Sequence, residues 1–334
     1  MIPKLLKKCF LYSLPCLFLL GSLLCLNGCA AKPEPISKSG FYLNTIITIT
    51  LYDDTDASVL DDCMSLCESY ESMLSRTIPG SDVWKINHSN TAPVTVSPET
   101  ADLLHTALQY CALSNGLIDI TVAPLSDLWD FSSDGEKHVP DSKAIAALLP
   151  AVNYQNITLD DCTVTVSDKD TALDLGFIAK GYIADKMQAY LLEQNVKSAI
   201  INLGGNVITI GSKPDHTSFQ IGIQKPFDDR NVSIATVPSI HSSVVSSGVY
   251  ERYFTENGKL YHHILNPKTG YPYENTLLGV TILSHTSLEG DALSTTCFVL
   301  GLEEGLALIE RTPDVEAMFI TDDYQLHYSS GFPH

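Results

Sequence analysis

Hydrophobic and polar positions change period several times along the 334-residue chain, and each change predicts an element. From 41 to 52 the residues alternate and are rich in isoleucine and threonine, a strand pattern, whereas from 56 to 74 the apolar positions follow helical spacing. Turn chemistry follows at Thr77-Ile78-Pro79-Gly80. Ser97-Pro98-Glu99 supplies a cap, a first-turn proline and an early acid, predicting a second helix that ends near Ser114-Asn115-Gly116. The apolar run 117–125 with Trp129 beyond it reads either as one wall of a pocket or as a short strand followed by a loop aromatic, which composition alone favours. Residues 132–141 read as a polar loop, 142–149 as a short helix, 157–175 as a strand pair turning at Asp160-Asp161, and 177–193 as an amphipathic helix. An apolar strand region at 198–210 is interrupted by Gly204-Gly205, meaning either two strands joined closely or a backbone approach to a ligand. Further strands are expected at 218–224, 231–237, 277–283, 315–321 and 324–329. Thr286 with Glu289 forms a capping box for a helix starting at 287, and another helix is expected at 302–311.

The first 28 residues depart from this pattern: Lys4, Lys7 and Lys8 precede an apolar run from Cys9 to Leu26, which reads as a secretory leader, with an uncleaved anchor as the alternative. Residues 30–40 are polar with proline and glycine, expected to be a tether of at most roughly 40 Å, and the folded domain is expected from about residue 41 to 334. The formal charge of −19 becomes −22 once the three leader lysines are removed, which argues against nucleic acid or an anionic lipid surface as partner. Five of the nine cysteines, Cys63, Cys67, Cys111, Cys162 and Cys297, lie beyond residue 29 without metal-ligand spacing, and they are expected to be core thiols without disulfides.

Chemistry concentrates in a few stretches. Residues 172–185 carry Asp174, Gly176, Lys180 and Gly181 where a strand is expected to turn into a helix, a corner that suits a phosphate-bearing ligand or is an ordinary turn with a surface lysine. His262 and His263 are adjacent on a predicted strand and must face opposite sides, so at most one enters a site. Asp291 and Thr295 lie four apart on one face of a predicted helix and together suit a hard, oxygen-loving cation. The alternative is a dipole-stabilised aspartate and a threonine bonded back to its helix.

Six blocks taken in order resemble the ApbE family of FAD:protein FMN transferases: Leu74-Ser75-Arg76, the 119–129 segment from Asp119 to Trp129, the 174–182 segment, Ser246-Ser247-Gly248, the 263–270 segment, and the 291–295 segment. The resemblance spans about residues 41–330. It implies an α+β fold, mixed sheets with surrounding helices around one active-site cleft. It also implies an enzyme that uses Mg2+ and FAD, attaching FMN through a phosphoester to a threonine of a partner protein and releasing AMP. Carried over by position, the metal would sit on Asp291, Thr295 and the backbone carbonyl of Phe177. Flavin-nucleotide contacts would come from Leu43, Thr77, Leu117, Ile118, Asp119, Asp174, Lys180 and Leu265, with His263 beside the reacting phosphates. Leu26-Asn27-Gly28-Cys29 resembles a lipobox, so Cys29 is the expected lipid attachment site. That places the domain on the extracytoplasmic face of the cell membrane, near an exported or membrane-associated acceptor.

Three positions depart from the family pattern: Leu43-Asn44-Thr45 where Met-Gly-Thr is frequent, Asn266 where Asp is, and Thr77 where Tyr or Asn is. The Thr77 slot is associated with the balance between cleaving FAD with water and transferring FMN. The competing readings are therefore an Mg2+-dependent FAD pyrophosphatase and a non-catalytic flavin-binding lipoprotein.

Overall fold

The computed structural model describes residues 34–131 and 135–333. The leader, Cys29 and the start of the tether lie outside the described residues.

An eight-stranded sheet organises the fold, and its strands lie in chain order. They are β1 (Ile36–Tyr42), β2 (Thr45–Leu51), β6 (Ala199–Leu203), β7 (Asn206–Ile210), β10 (Ser243–Gly248), β13 (Leu277–Ser284), β14 (Glu316–Thr321) and β15 (Leu326–Tyr328). Every neighbouring pair is antiparallel. The other strands form small satellites: β3 (Val94–Thr95) with β4 (Ile157–Asp160) and β5 (Thr163–Val166), the hairpin β8 (Phe219–Gln224) with β9 (Ser233–Ser239), and the hairpin β11 (Tyr253–Glu256) with β12 (Lys259–His262). The helices are α1 (Ser58–Leu74), α2 (Asp82–Asn87), α3 (Pro98–Leu113), α4 (Ala123–Trp129), α5 (Ser142–Leu148), α6 (Ala179–Glu193), α7 (Ser287–Leu300) and α8 (Leu302–Ile309). This is the expected α+β class.

Burial explains why the sheet holds. Ile47, Ile49, Leu51, Ile201, Leu203, Ile208 and Ile210 pack against α1, α3 and α6 in the largest core. Each such side chain stabilises the fold by about 1.5–3 kcal/mol relative to exposure, so a charge at Ile49 or Ile201 would open this layer. On the opposite face Val207, Val244, Met318 and Ile320 meet Phe219, Ile221 and Ile223 of β8. With both faces covered, β7 is buried along its whole length. The turns at 43–44 and 204–205 and the end of β10 fall at one end of the sheet, because Ile47 pairs with Leu203 and Asn206 with Val245. The cavity forms there.

Several elements differ from expectation. The fold begins at Ile36, inside the stretch read as tether: before Phe41 the outer face of β1 carries serines, which makes the start of the strand read as polar. Ser37 and Ser39 hydrogen-bond to Thr50 and Thr48 at 2.8 and 2.9 Å. The apolar run 117–125 is no strand: only Val122 bridges Ala172, and α4 starts at Ala123 with Pro124 in its first turn. The strand pair expected through 175 ends at Val166, and α6 starts at Ala179 after a turn. The short α2, capped by Ser81, was not anticipated. Cys63, Cys67, Cys111 and Cys297 are buried free thiols, while free Cys162 is only half-buried.

Candidate active site

Two helices crossing at their N-terminal ends build the centre of the site. Gly181, in the first turn of α6, lies so close to α7 that a Cβ there would stand 2.3 Å from the Ser287 carbonyl oxygen. Only glycine allows that approach. Its N–H donates to Asp291 Oδ2 at 2.8 Å, and the Asp185 carboxylate, one turn further along α6, accepts the Ser287 and Leu288 N–H groups at 2.7 and 2.9 Å. Gly181, read from sequence as part of a ligand corner, is thus a helix-crossing residue.

Asp291 is 3% exposed, and burial raises its pKa against the opposing pull of Lys180 and the Gly181 N–H. The Asn206 side chain lies close enough to temper that rise, although its Nδ2 makes no hydrogen bond. Lys180 Nζ stands 3.7 Å from Asp291 Oδ1. Thr295 does not bond back to its helix; its Oγ1 meets Ser247 Oγ at 3.1 Å, and Ser247 also meets Ser294 at 2.8 Å. Asp291, Thr295, Ser247, Lys180 and Phe177 all line one cavity of about 290 Å³. Among the described residues no group of three or more His, Cys, Asp or Glu is arranged to hold a metal. A cation here would rest on one carboxylate, one hydroxyl and one carbonyl. That all-oxygen, low-charge donor set fits Mg2+, which keeps waters and takes its remaining ligands from substrate phosphates.

Arg76, which belongs to the Leu74-Ser75-Arg76 block but was given no role from sequence, holds another part of the wall. Its Nε is 3.2 Å from Asp174 Oδ2 and its Nη1 is 2.6 Å from Asp127 Oδ1. Asp174 Oδ1 accepts the Gly176 N–H at 2.8 Å, so this carboxylate shapes the turn into α6 as well as facing the cavity. Asp119 likewise works on its own backbone, accepting from Thr121 N, Thr121 Oγ1 and Tyr154 N at 2.8, 2.6 and 2.8 Å. Leu117, Ile118 and Asp119 line the cavity, as do Leu43 and Leu265. Leu43 and Asn44 both have positive φ, 52° and 56°, in the β1–β2 turn, and the Leu43 N–H donates to Glu71 at 2.7 Å. A left-handed residue 44 explains why asparagine stands where glycine is frequent in the family.

Thr77 is the exception among the expected contacts. It lies outside the cavity wall, exposed, with its hydroxyl and N–H on Ser75 Oγ, both at 3.1 Å. Trp129 also stays out of the cavity: it is 2% exposed, donates to the Gly270 carbonyl at 2.7 Å and packs on Phe131, which takes the place on the wall.

The two histidines separate as the strand argument requires. His262 is buried against Phe298; Nε2 meets the Tyr273 carbonyl at 2.9 Å and Nδ1 the Ile264 N–H at 3.3 Å, which makes it neutral. Burial pushes its pKa down to about 4. His263 enters the cavity, with Nδ1 3.3 Å from the Arg252 carbonyl. A carbonyl only accepts, so Nδ1 carries the proton and Nε2 keeps its lone pair. Burial first, then the charge of Arg252, pushes His263 down to about 3, so its ring is neutral near pH 7.

An antiparallel α+β fold with a cleft in which a helix-borne Asp–Thr pair, a lysine and a histidine converge has the lining of a site for an anionic ligand. The chain belongs to the ApbE family, whose match covers residues 43–319. A relative from Klebsiella pneumoniae (strain 342), named FAD:protein FMN transferase, is 38% identical over 88% of this chain and 92% of its own length. One of the same name from Treponema pallidum (strain Nichols) is 31% identical over 91% of this chain and 89% of its own length. The fold is shared with the ApbE protein of Thermotoga maritima, with a TM-score of 0.81 at 29% identity over 89% of this chain and 97% of that one. The flavin transferase ApbE from Vibrio cholerae gives 0.79 at 26% identity over 90% and 98%.

Proposed function

We propose that this chain is an Mg2+-dependent flavin transferase that moves the FMN moiety of FAD onto a threonine hydroxyl of an acceptor protein and releases AMP. The observation that carries the reading is the convergence of Asp291, Thr295, Phe177, Lys180 and His263 on one cavity that Leu117, Ile118, Asp119, Asp174, Leu43 and Leu265 also line. The names of its relatives support the same activity.

In this reading Asp291, Thr295 and the Phe177 carbonyl hold Mg2+, which when bound supplies Lewis-acid charge at the FAD pyrophosphate. Lys180, 3.7 Å from Asp291, adds a cation beside the same phosphates. The threonine oxygen forms a bond to the FMN phosphorus as the bond from that phosphorus to the bridging oxygen breaks, and AMP leaves with that oxygen. His263 Nε2 takes the hydroxyl proton and passes it to solvent. Its lowered pKa makes it a weak base in the free protein. Burial and nearby cations cause that lowering, so an arriving pyrophosphate opposes it and brings the ring toward useful basicity.

The leader and Cys29 complete the proposal: a lipid on Cys29 tethers the domain to the extracytoplasmic face of the membrane, close to an exported or membrane-associated acceptor. The test incubates the whole protein with FAD, Mg2+ and a candidate exported acceptor. The expected result is an FMN-sized mass increment on a threonine together with AMP. Free FMN and AMP without an adduct would make the protein a pyrophosphatase, and unaltered FAD would make it a flavin binder.

A further inference from the structure

Three consecutive residues of α7 carry hydroxyls, and they do not behave alike. Ser294 Oγ donates to the Asp291 carbonyl at 2.9 Å and Thr296 Oγ1 to the Ala292 carbonyl at 2.7 Å, the back-bonding usual for such side chains inside a helix. Thr295, between them, lines the cavity and meets Ser247 Oγ of β10 at 3.1 Å instead. Ser247 also meets Ser294 Oγ at 2.8 Å, so the three hydroxyls form a short chain.

The count of protons gives this chain a direction. A hydroxyl has one hydrogen to donate and two lone pairs with which to accept. The Ser294 hydrogen is on the Asp291 carbonyl, so Ser294 accepts from Ser247. With its own hydrogen committed there, Ser247 accepts from Thr295. The Thr295 hydrogen therefore points at Ser247, and lone pairs of its oxygen remain for the cavity. That is the orientation a cation ligand needs, because a hydroxyl hydrogen aimed at the ion would repel it.

We infer that Ser247 is a positioning residue for the cation: it accepts the Thr295 hydrogen, holds that side chain off its own helix and leaves the oxygen free to ligate, with Ser294 behind it fixing the direction of the chain. The inference rests on the proposed Mg2+ ligation by Asp291 and Thr295 and adds what orients the second of these ligands. Ser247 lies in the paired part of the main sheet, opposite Val280 of β13, which makes it a fixed point for the helix side chain. Without it, Thr295 is left to the back-bond its neighbours make, onto the Asp291 carbonyl four residues earlier.

The test follows thermal unfolding of the whole protein with FAD while Mg2+ is titrated, and reads the Mg2+ concentration at half of the metal-dependent rise. Ser247→Ala should raise that concentration about 10–100-fold, while FAD affinity measured without metal stays within about twofold of wild type. Ser247→Thr keeps the hydroxyl and should restore the wild-type titration. Ser294→Ala frees the Ser247 hydrogen to turn onto Thr295, where it competes with the cation for a lone pair. This variant should shift the titration in the same direction, although Ser294 is buried and lies outside the cavity wall. A serine with a structural role alone would lower the unfolding temperature at every Mg2+ concentration and leave the half-point in place. An unchanged half-point in either alanine variant, or a shift that Ser247→Thr does not reverse, overturns the assignment. A wild type that gains no stability from Mg2+ strikes the metal reading itself, on which this one depends.

Discussion

Asp185 and Asp291 cap each other's helices. The Asp185 carboxylate on α6 accepts two N–H groups from the first turn of α7, and the Asp291 carboxylate on α7 accepts the Gly181 N–H from the first turn of α6. Each helix therefore fixes where the other begins, and the crossing sets the position of the carboxylate assigned to the metal. Asp185→Ala leaves two partly buried N–H donors without their partner and should cost about 1–3 kcal/mol in urea unfolding. If the crossing positions Asp291, turnover falls as well under conditions where the variant is fully folded. Normal turnover in a folded but destabilised Asp185→Ala protein would reduce the exchange to a structural role.

Much of this arrangement was legible from residue order. The Thr286 capping box starts α7, which puts Asp291 and Thr295 on one face, and strand alternation sends His262 and His263 to opposite sides. What stayed hidden depends on pairs far apart in sequence. The partners of Arg76 lie at 127 and 174, and the caps from Asp185 and Asp291 span about a hundred residues. No local period encodes such contacts. The start of β1 was missed because Ser37 and Ser39 make its outer face read as polar, and at the end of the first long helix Arg76 lines the cavity while its neighbour Thr77 does not.

FAD should bind far more tightly than riboflavin, which has the ring system but no phosphates. The pyrophosphate would meet Lys180 and backbone donors at a buried site, and a charge-assisted hydrogen bond contributes about 1.5–3 kcal/mol, roughly 10–100-fold in affinity. Calorimetry ranks the two ligands. Equal affinity would mean that the cavity recognises the flavin ring and not the phosphates.

His262 should make the fold acid-sensitive in a defined window. Its pKa falls on folding to about 4, from an ordinary value of about 6.5. As pH drops below about 6.5 the unfolded chain binds a proton that the folded chain refuses until about pH 4, so stability is lost through that interval, on the order of 3 kcal/mol. Asp185 acts with the opposite sign: burial raises it to about 6, so it adds stability as pH falls from there toward 3.8. Comparing His262→Gln with wild type isolates the histidine. The variant should show a flatter loss of stability between pH 6.5 and 4 in urea titrations, and parallel curves would assign the sensitivity to another group.

The proposed membrane tether rests on Cys29, which closes the Leu26-Asn27-Gly28-Cys29 segment. Cells fed a labelled fatty acid should incorporate label into the wild-type protein and not into Cys29→Ser. Equal labelling of the two would move the attachment point away from this residue.

The metal assignment is decided most cleanly by Asp291→Asn. Asparagine retains an oxygen to accept the Gly181 N–H, so the α6–α7 crossing survives, but the only carboxylate assigned to Mg2+ is gone. In wild type, Mg2+ added with FAD should raise the unfolding temperature beyond FAD alone, because a ligand that binds only the folded state stabilises it by mass action. The variant should lose that increment. A helix-start aspartate acting on the dipole alone contributes about 0.3–1 kcal/mol. A ligand to a catalytic cation contributes several kcal/mol at the transition state, and each 1.36 kcal/mol is about tenfold in rate. Turnover should therefore drop by more than about 100-fold. An Asp291→Asn protein that still gains stability from Mg2+ and turns over FAD within about tenfold of wild type would remove the cation from this carboxylate, and with it the reason Lys180 and Thr295 were read together as a phosphate-handling site.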